Sequence, residues 1–520
     1  MTRDFDVTVI GSGFGGSLMA LVLRRLGYSV LLVESGKHPR FAIGESTSPL
    51  TNLILEQIAQ RYALPRLLPL AQWGTWQDSY PQLSVGLKRG FTYYAQTAGQ
   101  PFQSRPDRQN ELLVAASPHN YLADTHWYRP DVDAFLVGEA VAGGAVYIDE
   151  TRLTEAEPLP GGGFHLMGTR HGAAFGATAR FFIDASGPRG FWWQKRGSSS
   201  GAFSDYPRTQ SLYTHFSGVA RTNEMPAYAS ASGDVPPYPA DDAALHHVFE
   251  GGWMWVLRFN NGITSAGVSV ESGLADELNL AEGNAAAWSR FLARFPTVRE
   301  QFAQSQTVEP FRFTPQLSWR VSAASEVAGA DWALLPSAAA FVDPLYSTGF
   351  PLMLLGIERL AAIFEAGLDT PSLPARLRAY AETTLTEADH TARFIAGNFR
   401  AFGRFTEAFV PLSQFYFAAA SFSEMARRLH KPDMLQGYLA PDNASFLSGL
   451  AHASTVSPCL CASDVAQAIA PVNVAGLCDP AKRNWYGVDL ADLIYAAPKL
   501  GETPDSMRAI IATAPWAQIP

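Results

Sequence analysis

The pattern of apolar and polar residues at the start of the chain predicts a strand, a helix and a second strand. Residues 5–10 (FDVTVI) are rich in β-branched side chains, which is typical of a strand buried in a parallel sheet. Residues 17–27 carry apolar side chains at helical spacing and end on a glycine, a common helix stop. A second apolar strand, residues 29–35, follows at once. This order predicts the first unit of a nucleotide-binding sheet.

Two later apolar segments predict further strands of the same sheet. Residues 179–184 form an apolar run that ends at Asp184. Residues 331–350 predict a strand, a turn of small residues and a helix that begins near Gly349. A chain that returns to one sheet after long excursions is typical of flavoproteins of the flavin monooxygenase type. We therefore expect an α/β fold with a discontinuous, Rossmann-like FAD-binding domain.

The predicted domains are interleaved along the chain. Beside the FAD-binding domain we expect a β-sheet substrate domain and a helical C-terminal region. The assignments are residues 1–80, 125–200 and 325–370 for the FAD-binding domain, 81–124 and 201–324 for the substrate domain, and 371–520 for the C-terminal region.

Aromatic residues mark the predicted substrate domain and the C-terminal region. Trp253 and Trp255 alternate on one face of the extended segment 251–259 (GGWMWVLRF), for which core packing is the default interpretation. Residues 374–430 predict at least two amphipathic helices, and residues 441–482 predict irregular structure before a last helix near residues 489–501. The aromatic residues of the amphipathic helices form core or line an aromatic pocket: Phe394, Phe399, Phe402, Phe405, Phe409, Phe415, Tyr416 and Phe417.

Composition narrows the class of protein. The 520 residues are 47% hydrophobic and 17% charged, as in globular proteins, and the net charge of −9 without a basic run disfavours nucleic acid as a partner. No apolar stretch is long enough for a membrane span, and the N-terminus does not resemble a signal peptide. Three cysteines, Cys459, Cys461 and Cys478, fit neither a disulfide framework nor a metal site. We expect a cytoplasmic protein without a membrane or metal partner.

A glycine motif lies between the first strand and the first helix. Gly11 would form the tight turn, Gly13 would let the backbone approach a pyrophosphate, and Gly16 would let helix and strand pack closely. The helix N-terminus would hold the phosphates, while Glu34 at the end of the second strand would accept the ribose hydroxyls. An acid at this place favours FAD or NAD over NADP. The later strand that ends at Asp184 favours FAD over NAD.

Longer motifs make the chain resemble the flavin-dependent halogenases, above all the phenol-type enzymes such as phloroglucinol halogenases. The resemblance lies in IGSGFGG, HPRFAIGES, GLKRGFTYY, LHHVFEGGWMWV and LLPSAAAFVDPLYSTG, and it extends from the N-terminus to about residue 350. Most related flavoproteins have Gly-Asp where this chain has Pro336-Ser337, so Ser337 or backbone groups would contact the ribityl chain. The phenol-type branch shares the Leu-Leu-Pro run at this place.

The resemblance assigns roles to individual residues. Lys88 matches the active-site lysine, Trp253 and Trp255 would form a wall between flavin and substrate, and Thr348 and Gly349 would bind chloride or bromide. The residues that would contact FAD are Gly11, Gly13, Phe14, Gly15, Gly16, Glu34, Ser35, Arg40, Ser46, Arg129, Asp184, Asp343 and Gly349.

The resemblance also implies a reaction. Reduced FAD (FADH2) and O2 would form a flavin hydroperoxide, which a halide would attack to give hypohalous acid, and Lys88 would hold or capture the electrophilic halogen. Tryptophan halogenases have an acid where this chain has Tyr346, so a phenolic or other electron-rich aromatic small molecule is the expected substrate. A separate flavin reductase would supply FADH2, because no NADPH-binding segment is evident.

One departure from the family pattern leaves an alternative open. Halogenases have Trp-x-Trp-x-Ile-Pro, whereas Leu257 and Arg258 stand here in place of the last pair. Arg258 would bind a carboxylate if it points inward, or lie on the surface if it points outward. The change allows a halogenase-fold monooxygenase, oxidase or dehydrogenase that does not halogenate. His246 and His247 are expected to be structural rather than catalytic.

Overall fold

The computed structural model describes residues 4–197, 200–431, 434, 437–440, 443–455 and 461–518. Within these residues two large sheets and two smaller ones are accompanied by helices on several sides. The strands are β1 Phe5–Ile10, β2 Val30–Val33, β3 Val85–Lys88, β4 Gly90–Ala95, β5 Glu111–Ala115, β6 Asp124–Trp127, β7 Val146–Ile148, β8 Thr151–Pro158, β9 Phe164–Arg170, β10 Ala173–Asp184, β11 Ser200–Gly201, β12 Thr209–Ser217, β13 Ala244–Phe249, β14 Gly252–Arg258, β15 Ile263–Glu271, β16 Gln306–Thr307, β17 Arg312–Thr314, β18 Trp319–Val321, β19 Trp332–Leu334, β20 Ala340–Phe341 and β21 Trp485–Tyr486. The helices are α1 Phe14–Arg25, α2 Pro49–Arg61, α3 Trp73–Ser79, α4 Arg129–Ala142, α5 Phe191–Arg196, α6 Ser272–Glu277, α7 Ala285–Ala293, α8 Pro296–Gln301, α9 Pro336–Ala339, α10 Gly349–Glu365, α11 Leu373–Ala401, α12 Val410–Arg428, α13 Ala444–Thr455, α14 Ala462–Ile469, α15 Leu490–Tyr495 and α16 Pro504–Thr513.

The first large sheet is the nucleotide-binding sheet that the N-terminal pattern predicts. Its order is β7-β2-β1-β10-β9-β8, and β19 pairs with β10. β1 runs parallel to both β2 and β10, and its Val7 and Val9 are fully buried, as expected for an inner strand of a parallel sheet. The predicted Rossmann-like α/β fold is confirmed. β10 and β19 return to this sheet from distant parts of the chain, as expected.

The second large sheet has the order β16-β12-β15-β14-β13-β4-β5-β21, and β17 pairs with β12. The tryptophan-bearing strand β14 lies inside it, between β13 and β15. Beside this sheet β3 and β6 form a two-stranded antiparallel ladder in which Lys88 lies opposite Asp124. The last strand, β21, comes from near the end of the chain and pairs with β5.

The C-terminal region is helical, as expected, but richer in helices than the sequence suggests. The prediction of irregular structure for residues 441–482 is wrong over α13 and α14. Both segments are rich in alanine, the residue with the highest helix propensity. The apolar residues of α14, Val465 and Ile469, are buried. The helix expected near residues 489–501 is only the short α15, and α16 follows it.

The structure bears on the membrane, metal and cysteine expectations only through the described residues. No helix among the described residues is long and apolar enough to cross a membrane. Within the same residues, no group of three or more metal-ligating side chains comes together. Cys459 lies outside the described residues, while Cys461 and Cys478 are free thiols.

Candidate active site

The glycine motif forms a tight loop in which the positions of Gly11 and Gly16 leave no room for a side chain. Gly11 has a φ of +98°, and a Cβ atom there would lie 2.6 Å from the carbonyl oxygen of Ala185. A Cβ on Gly16 would overlap the carbonyl oxygen of Gly11. The loop therefore brings α1 directly onto the end of β1. Gly13 is the N-cap of α1, and no side chain of the described residues caps this helix, so its first amides can bind phosphate.

The carboxylate of Glu34 lies beside this loop at the end of β2. It accepts hydrogen bonds from the Ser12 amide (3.0 Å) and hydroxyl (2.9 Å) and from the Gly36 amide (2.9 Å), and it pairs with Arg40 at 3.1 Å. Burial favours the neutral acid, but Arg40 and these donors outweigh it and lower the pKa of Glu34 to about 2. The Ser35 hydroxyl also lies within 3.3 Å of it. Glu34 is therefore an ionised acceptor, as ribose hydroxyls require.

Arg129, the first residue of α4, joins the glycine loop to the segment after β2. Its guanidinium binds Asp133 through two hydrogen bonds of 2.8 Å and donates to the carbonyl oxygens of Ile43 and Gly44 at 2.9 Å. A Cβ on Gly13 would lie 3.5 Å from it, and its charge lies 5.0 Å from the Phe14 ring. Arg129 therefore lies against the predicted pyrophosphate site, with Asp133 balancing its charge.

Two buried aspartates that the resemblance assigns to FAD contact are both held by protein donors. Asp184 accepts hydrogen bonds from the amides of Ser186 (2.9 Å) and Trp192 (2.7 Å), which shapes the turn beside Gly11. Asp343 accepts hydrogen bonds from the Trp253 indole (3.0 Å) and the Ser269 hydroxyl (2.5 Å). Burial raises the pKa of Asp343 to about 7. In this structure both side chains position protein groups, and their contact with FAD stays a prediction.

The turn before α10 combines features that suit a halide. Ser347 has a φ of +59°, in the left-handed region that non-glycine residues rarely adopt. The hydroxyl of Thr348 is buried and has no hydrogen-bond partner among the described residues. Gly349 is exposed, and a Cβ there would meet no atom within 4 Å. An unused hydroxyl donor, a helix N-terminus and open space thus meet at one point.

Lys88 reaches this turn from β3. Its side chain is fully buried, and its ammonium donates to the carbonyl oxygen of Thr47 and, at 3.2 Å, to the Ser347 hydroxyl. The Ser347 hydroxyl in turn donates to Ser46 at 2.9 Å. Burial lowers the pKa of Lys88 below its ordinary value, although the nearby Asp124 carboxyl opposes that shift. The amine that the resemblance singles out therefore lies next to the predicted halide site.

A cavity of about 190 Å³ is lined in part by Phe91, whose ring contacts the Lys88 amine. Its wall is largely apolar and aromatic and comes from α2, β4, β5, α12 and the C-terminal segment, with Asn52, Phe91, Asp124, Tyr416, Phe417 and Tyr438 among the lining residues. The Lys88 nitrogen lies 3.9 Å from the centre of the Phe91 ring, directly behind the wall. Of the eight aromatic residues proposed for core or pocket, Tyr416 and Phe417 line the cavity, and the other six are buried in the core.

The tryptophan pair is buried on one face of β14. The indole of Trp253 donates to Asp343, and that of Trp255 donates to the Ser265 hydroxyl at 3.2 Å. Their ring centres lie 5.7 Å apart. These contacts fix both rings as parts of a rigid surface, so the proposed wall between flavin and substrate stays a prediction that the packing supports.

Arg258 points inward, which is one of the two positions considered from the sequence, and the carboxylate that it binds belongs to the protein itself. Its guanidinium pairs with the buried Asp241 at 2.7 Å and donates to the carbonyl oxygens of Val219 (2.9 Å) and Ala220 (2.5 Å). Arg258 is therefore a structural residue that joins the end of β14 to the loop after β12. Its replacement of the family proline gives no support to a non-halogenating enzyme.

Sequence reasoning missed Asp124 and Asn52. Asp124 lies directly opposite Lys88 across the β3–β6 ladder, and its carboxylate accepts a hydrogen bond from Asn52 at 2.8 Å. These residues are far apart in the chain, and no local motif connects them. Only the pairing of β3 with β6 brings them together.

Comparison with known proteins decides the family. The tryptophan halogenase profile matches residues 93–410, more than half of the chain, and an NAD(P)-binding Rossmann-like profile matches residues 9–57. The chain belongs to the tryptophan halogenase family of flavin-dependent halogenases. The resemblance drawn from the motifs is thereby confirmed, and membership makes this protein an FAD-dependent enzyme that uses a halide. The glycine loop, the α1 N-terminus and Glu34 fit FAD.

Two curated family members are similar over most of the chain. Monodechloroaminopyrrolnitrin halogenase PrnC of Pseudomonas fluorescens is 30% identical over 411 residues, which are 78% of this chain and 69% of that protein. Tetracycline 7-halogenase of Kitasatospora aureofaciens is 30% identical over 357 residues, which are 67% of this chain and 61% of that protein.

Solved structures share the fold at lower identity. Halogenase PltM in complex with phloroglucinol and FAD has a TM-score of 0.76 at 20% identity, and the match covers 96% of each chain. A further structure of halogenase PltM has a TM-score of 0.79 at 20% identity and covers 92% of this chain and 99% of that one. The C-terminal region, which the sequence motifs did not reach, therefore also follows the fold of a halogenase.

Proposed function

We propose that this enzyme halogenates a free phenolic or similar electron-rich aromatic small molecule in the cavity behind Lys88. The observation that carries the proposal is the position of Lys88. Its amine contacts the Ser347 hydroxyl of the predicted halide turn on one side and the ring of Phe91, a cavity-wall residue, on the other. A group that joins a halide site to an aromatic cavity is suited to carry halogen between them.

The residues divide the work as follows. Reduced FAD with O2 would supply the two-electron oxidation of halide to hypohalous acid. The Thr348 hydroxyl and the first amides of α10 hold the halide by donating hydrogen bonds. Lys88 holds the hypohalous acid by a hydrogen bond or captures its halogen at nitrogen. An amine whose pKa is lowered by burial suits both roles better than a permanently charged guanidinium.

The cavity supports an aromatic substrate of modest size. Phe91, Tyr416 and Phe417 offer ring faces and edges, with Phe91 and Phe417 5.3 Å apart. Tyr346 does not replace the acid of tryptophan halogenases, because its hydroxyl donates to Ser413 and its ring stacks on Tyr416 at 4.2 Å. The substrate must therefore bring its own activating group, as a phenol does. Halogenase PltM has been solved with phloroglucinol, a phenol.

Two further points belong to the proposal. We expect a separate flavin reductase to deliver FADH2, since the sequence shows no second nucleotide-binding segment for NADPH. We also expect a cytoplasmic location, which the free thiols of Cys461 and Cys478 support because reducing compartments keep cysteines unpaired.

Halide dependence tests the reaction. The enzyme is incubated with a flavin reductase, NADH, FAD, air, bromide or chloride and a panel of phenols, and products are analysed by mass spectrometry. We expect products with halogen isotope patterns. Products with an added oxygen and no halogen would support the monooxygenase alternative. Turnover with an electron acceptor in the absence of oxygen would support a dehydrogenase.

Substitution of the lysine tests the site. Lys88→Met should reduce halogenation at least 100-fold and leave the FAD content unchanged, because the amine lies beside the halide turn and outside the glycine loop. Lys499→Met is the matched control, since burial also lowers the pKa of Lys499, which donates to the carbonyl oxygen of Asn473. Halogenation by Lys88→Met at the rate of the Lys499→Met enzyme would exclude Lys88 from the mechanism.

A further inference from the structure

Asp124, a residue of the cavity lining, has one carboxylate oxygen without a hydrogen-bond partner among the described residues. One carboxylate oxygen accepts the hydrogen bond from Asn52 at 2.8 Å. The other oxygen, Oδ2, has no hydrogen-bond partner among the described residues. Water cannot replace that partner easily, because Asp124 is only 3% exposed. A buried carboxylate oxygen without a donor is costly, and a ligand donor would remove that cost. The side chain itself belongs to the cavity lining.

The groups around Asp124 keep its proton affinity high. Burial raises the pKa of Asp124 above its ordinary value, and Glu424 on α12 acts in the same direction. Lys88 across the ladder, Arg428 on α12 and the Asn52 amide act in the opposite direction. The charge of Asp124 also raises the pKa of Tyr416. A carboxylate in these surroundings is a stronger base than an exposed aspartate.

We propose that Asp124 is the catalytic base of this enzyme, which accepts the proton of a hydroxyl group on the aromatic substrate. The inference rests on the proposed function and deepens it. It names the substrate class as a ring with an ionisable O–H directed at Asp124 Oδ2. Asn52 is a positioning residue, because its hydrogen bond holds Oδ1 of Asp124 and leaves Oδ2 without a protein donor.

Hypohalous acid, HOX with X the halogen, is the halogen donor in this step. Asp124 accepts the hydroxyl proton as the ring carbon forms a bond to halogen and the O–X bond breaks, which releases hydroxide. The resulting dienone bears both halogen and hydrogen at the attacked carbon. Hydroxide removes that hydrogen as a proton and becomes water, and the ring regains its aromaticity as a phenolate. Asp124 then returns its proton to the phenolate oxygen.

The first test compares a phenol with its methyl ether in the native enzyme. The two differ at the one hydrogen that Asp124 accepts. We expect kcat/KM for bromination to be at least 100-fold higher for the phenol than for the ether, within the range that general base catalysis provides. Equal values of kcat/KM would overturn the proposal, and this comparison requires no variant.

The second test uses Asp124→Asn, which retains the shape and the acceptor for Asn52. We expect kcat/KM for the phenol to fall at least 100-fold and its dependence on pH to flatten, while Asp124→Glu recovers part of the rate. Glu358→Gln is the matched control, because Glu358 pairs with Arg427 outside the cavity wall. A rate for Asp124→Asn within twofold of this control would overturn the proposal.

A separate readout distinguishes failure of the base from failure of the proposed function. Hypohalous acid is measured with a small external trap, such as a thioether, in the absence of aromatic substrate. We expect Asp124→Asn to produce trapped oxidant at the rate of the native enzyme. If Asp124→Asn produced trapped oxidant and also brominated the phenol at the native rate, Asp124 would not be the base. Absence of trapped oxidant in the native enzyme would overturn the proposed function itself.

Discussion

Gly11 and Gly349 lack a side chain for opposite reasons. At Gly11 the backbone of Ala185 and Ser186 occupies the space of a Cβ, and the φ of +98° excludes other residues. At Gly349 the space is open, so the protein itself does not require a glycine. The first glycine is required by the fold. The second leaves room for what binds at the α10 N-terminus.

The same substitution at the two glycines should therefore have different effects. Gly349→Ala should leave the free energy of unfolding unchanged or raise it by about 0.4–1 kcal/mol, because alanine suits a helix start. The midpoint of thermal unfolding should accordingly stay the same or rise slightly. Halogenation should fall at least tenfold, with a higher KM for halide. Gly11→Ala should lower the unfolding midpoint and abolish FAD binding. If Gly349→Ala retains the native KM for halide, Gly349 does not contact the halide.

At residue scale the sequence predicted the groups whose motifs are local. The glycine loop lies between β1 and α1, Glu34 follows β2 and Thr348 precedes α10, as their local motifs predict, while their roles toward FAD and halide, like that of Lys88, stay predictions. Asp124 was missed because its partner is set by pairing between β3 and β6. Arg258 points inward and binds a carboxylate, as one of the two expectations had it, but no local motif identified Asp241 as its partner.

At the scale of elements, the strand β13 introduces two histidines into the second sheet. His246 faces the carbonyl oxygen of Thr92 at 3.1 Å, and His247 lies between Gln301 (2.9 Å) and Gln96 (3.1 Å). Burial lowers the pKa of His246 to about 3 and that of His247 to about 4. Both rings are therefore neutral in the folded enzyme at neutral pH, which agrees with the structural role expected from the sequence.

These strand histidines should make the fold sensitive to acid. The folded pKa of His247 lies below its ordinary value of 6.5, so its contribution to stability is present above pH 6.5 and is lost as the pH falls toward 4. At pH 4 the loss amounts to about 3 kcal/mol for this one group. The midpoint of thermal unfolding should therefore fall less between pH 8 and pH 4 for His247→Gln than for the native enzyme. Parallel pH profiles would contradict the lowered pKa.

Helices and strands differ in how well the local sequence pattern predicts them. α1, β1 and α10 were predicted close to their observed positions, since each combines a strong apolar period with a glycine at its end. α13 and α14 were missed because short alanine-rich segments between prolines and serines resemble loops until tertiary contacts stabilise them. The division of the chain into three domains stays a prediction.

At the scale of the whole molecule, the negative charge of the chain extends into its cavity. Glu56, Asp124, Glu424 and Asp489 line the cavity, and the one arginine in the described part of the wall, Arg428, pairs with Glu424 at 2.8 Å. A carboxylate on the substrate would thus meet several acids and no available cation. Neutral rings avoid this repulsion.

The enzyme should therefore discriminate against carboxylated rings. For a methylphenol and the hydroxybenzoic acid of the same shape, we expect kcat/KM to be at least tenfold higher for the neutral compound. Glu424→Gln should narrow the gap, because it releases Arg428 to pair with the carboxylate. The measurement is bromination of both compounds by both enzymes. A native enzyme that prefers the acid would contradict the proposed cavity as the substrate site.

β21 adds a strand from near the end of the chain to the edge of the second sheet, and the segments on either side of it, including Ala475, Leu490 and Leu493, line the cavity. Among the described residues, the first large sheet contains no strand from this segment. If the cavity binds the substrate, as proposed, we expect changes near the C-terminus to alter which molecules are accepted without disturbing how the oxidant is generated. Exchange of these final residues between relatives offers a route to redirected specificity.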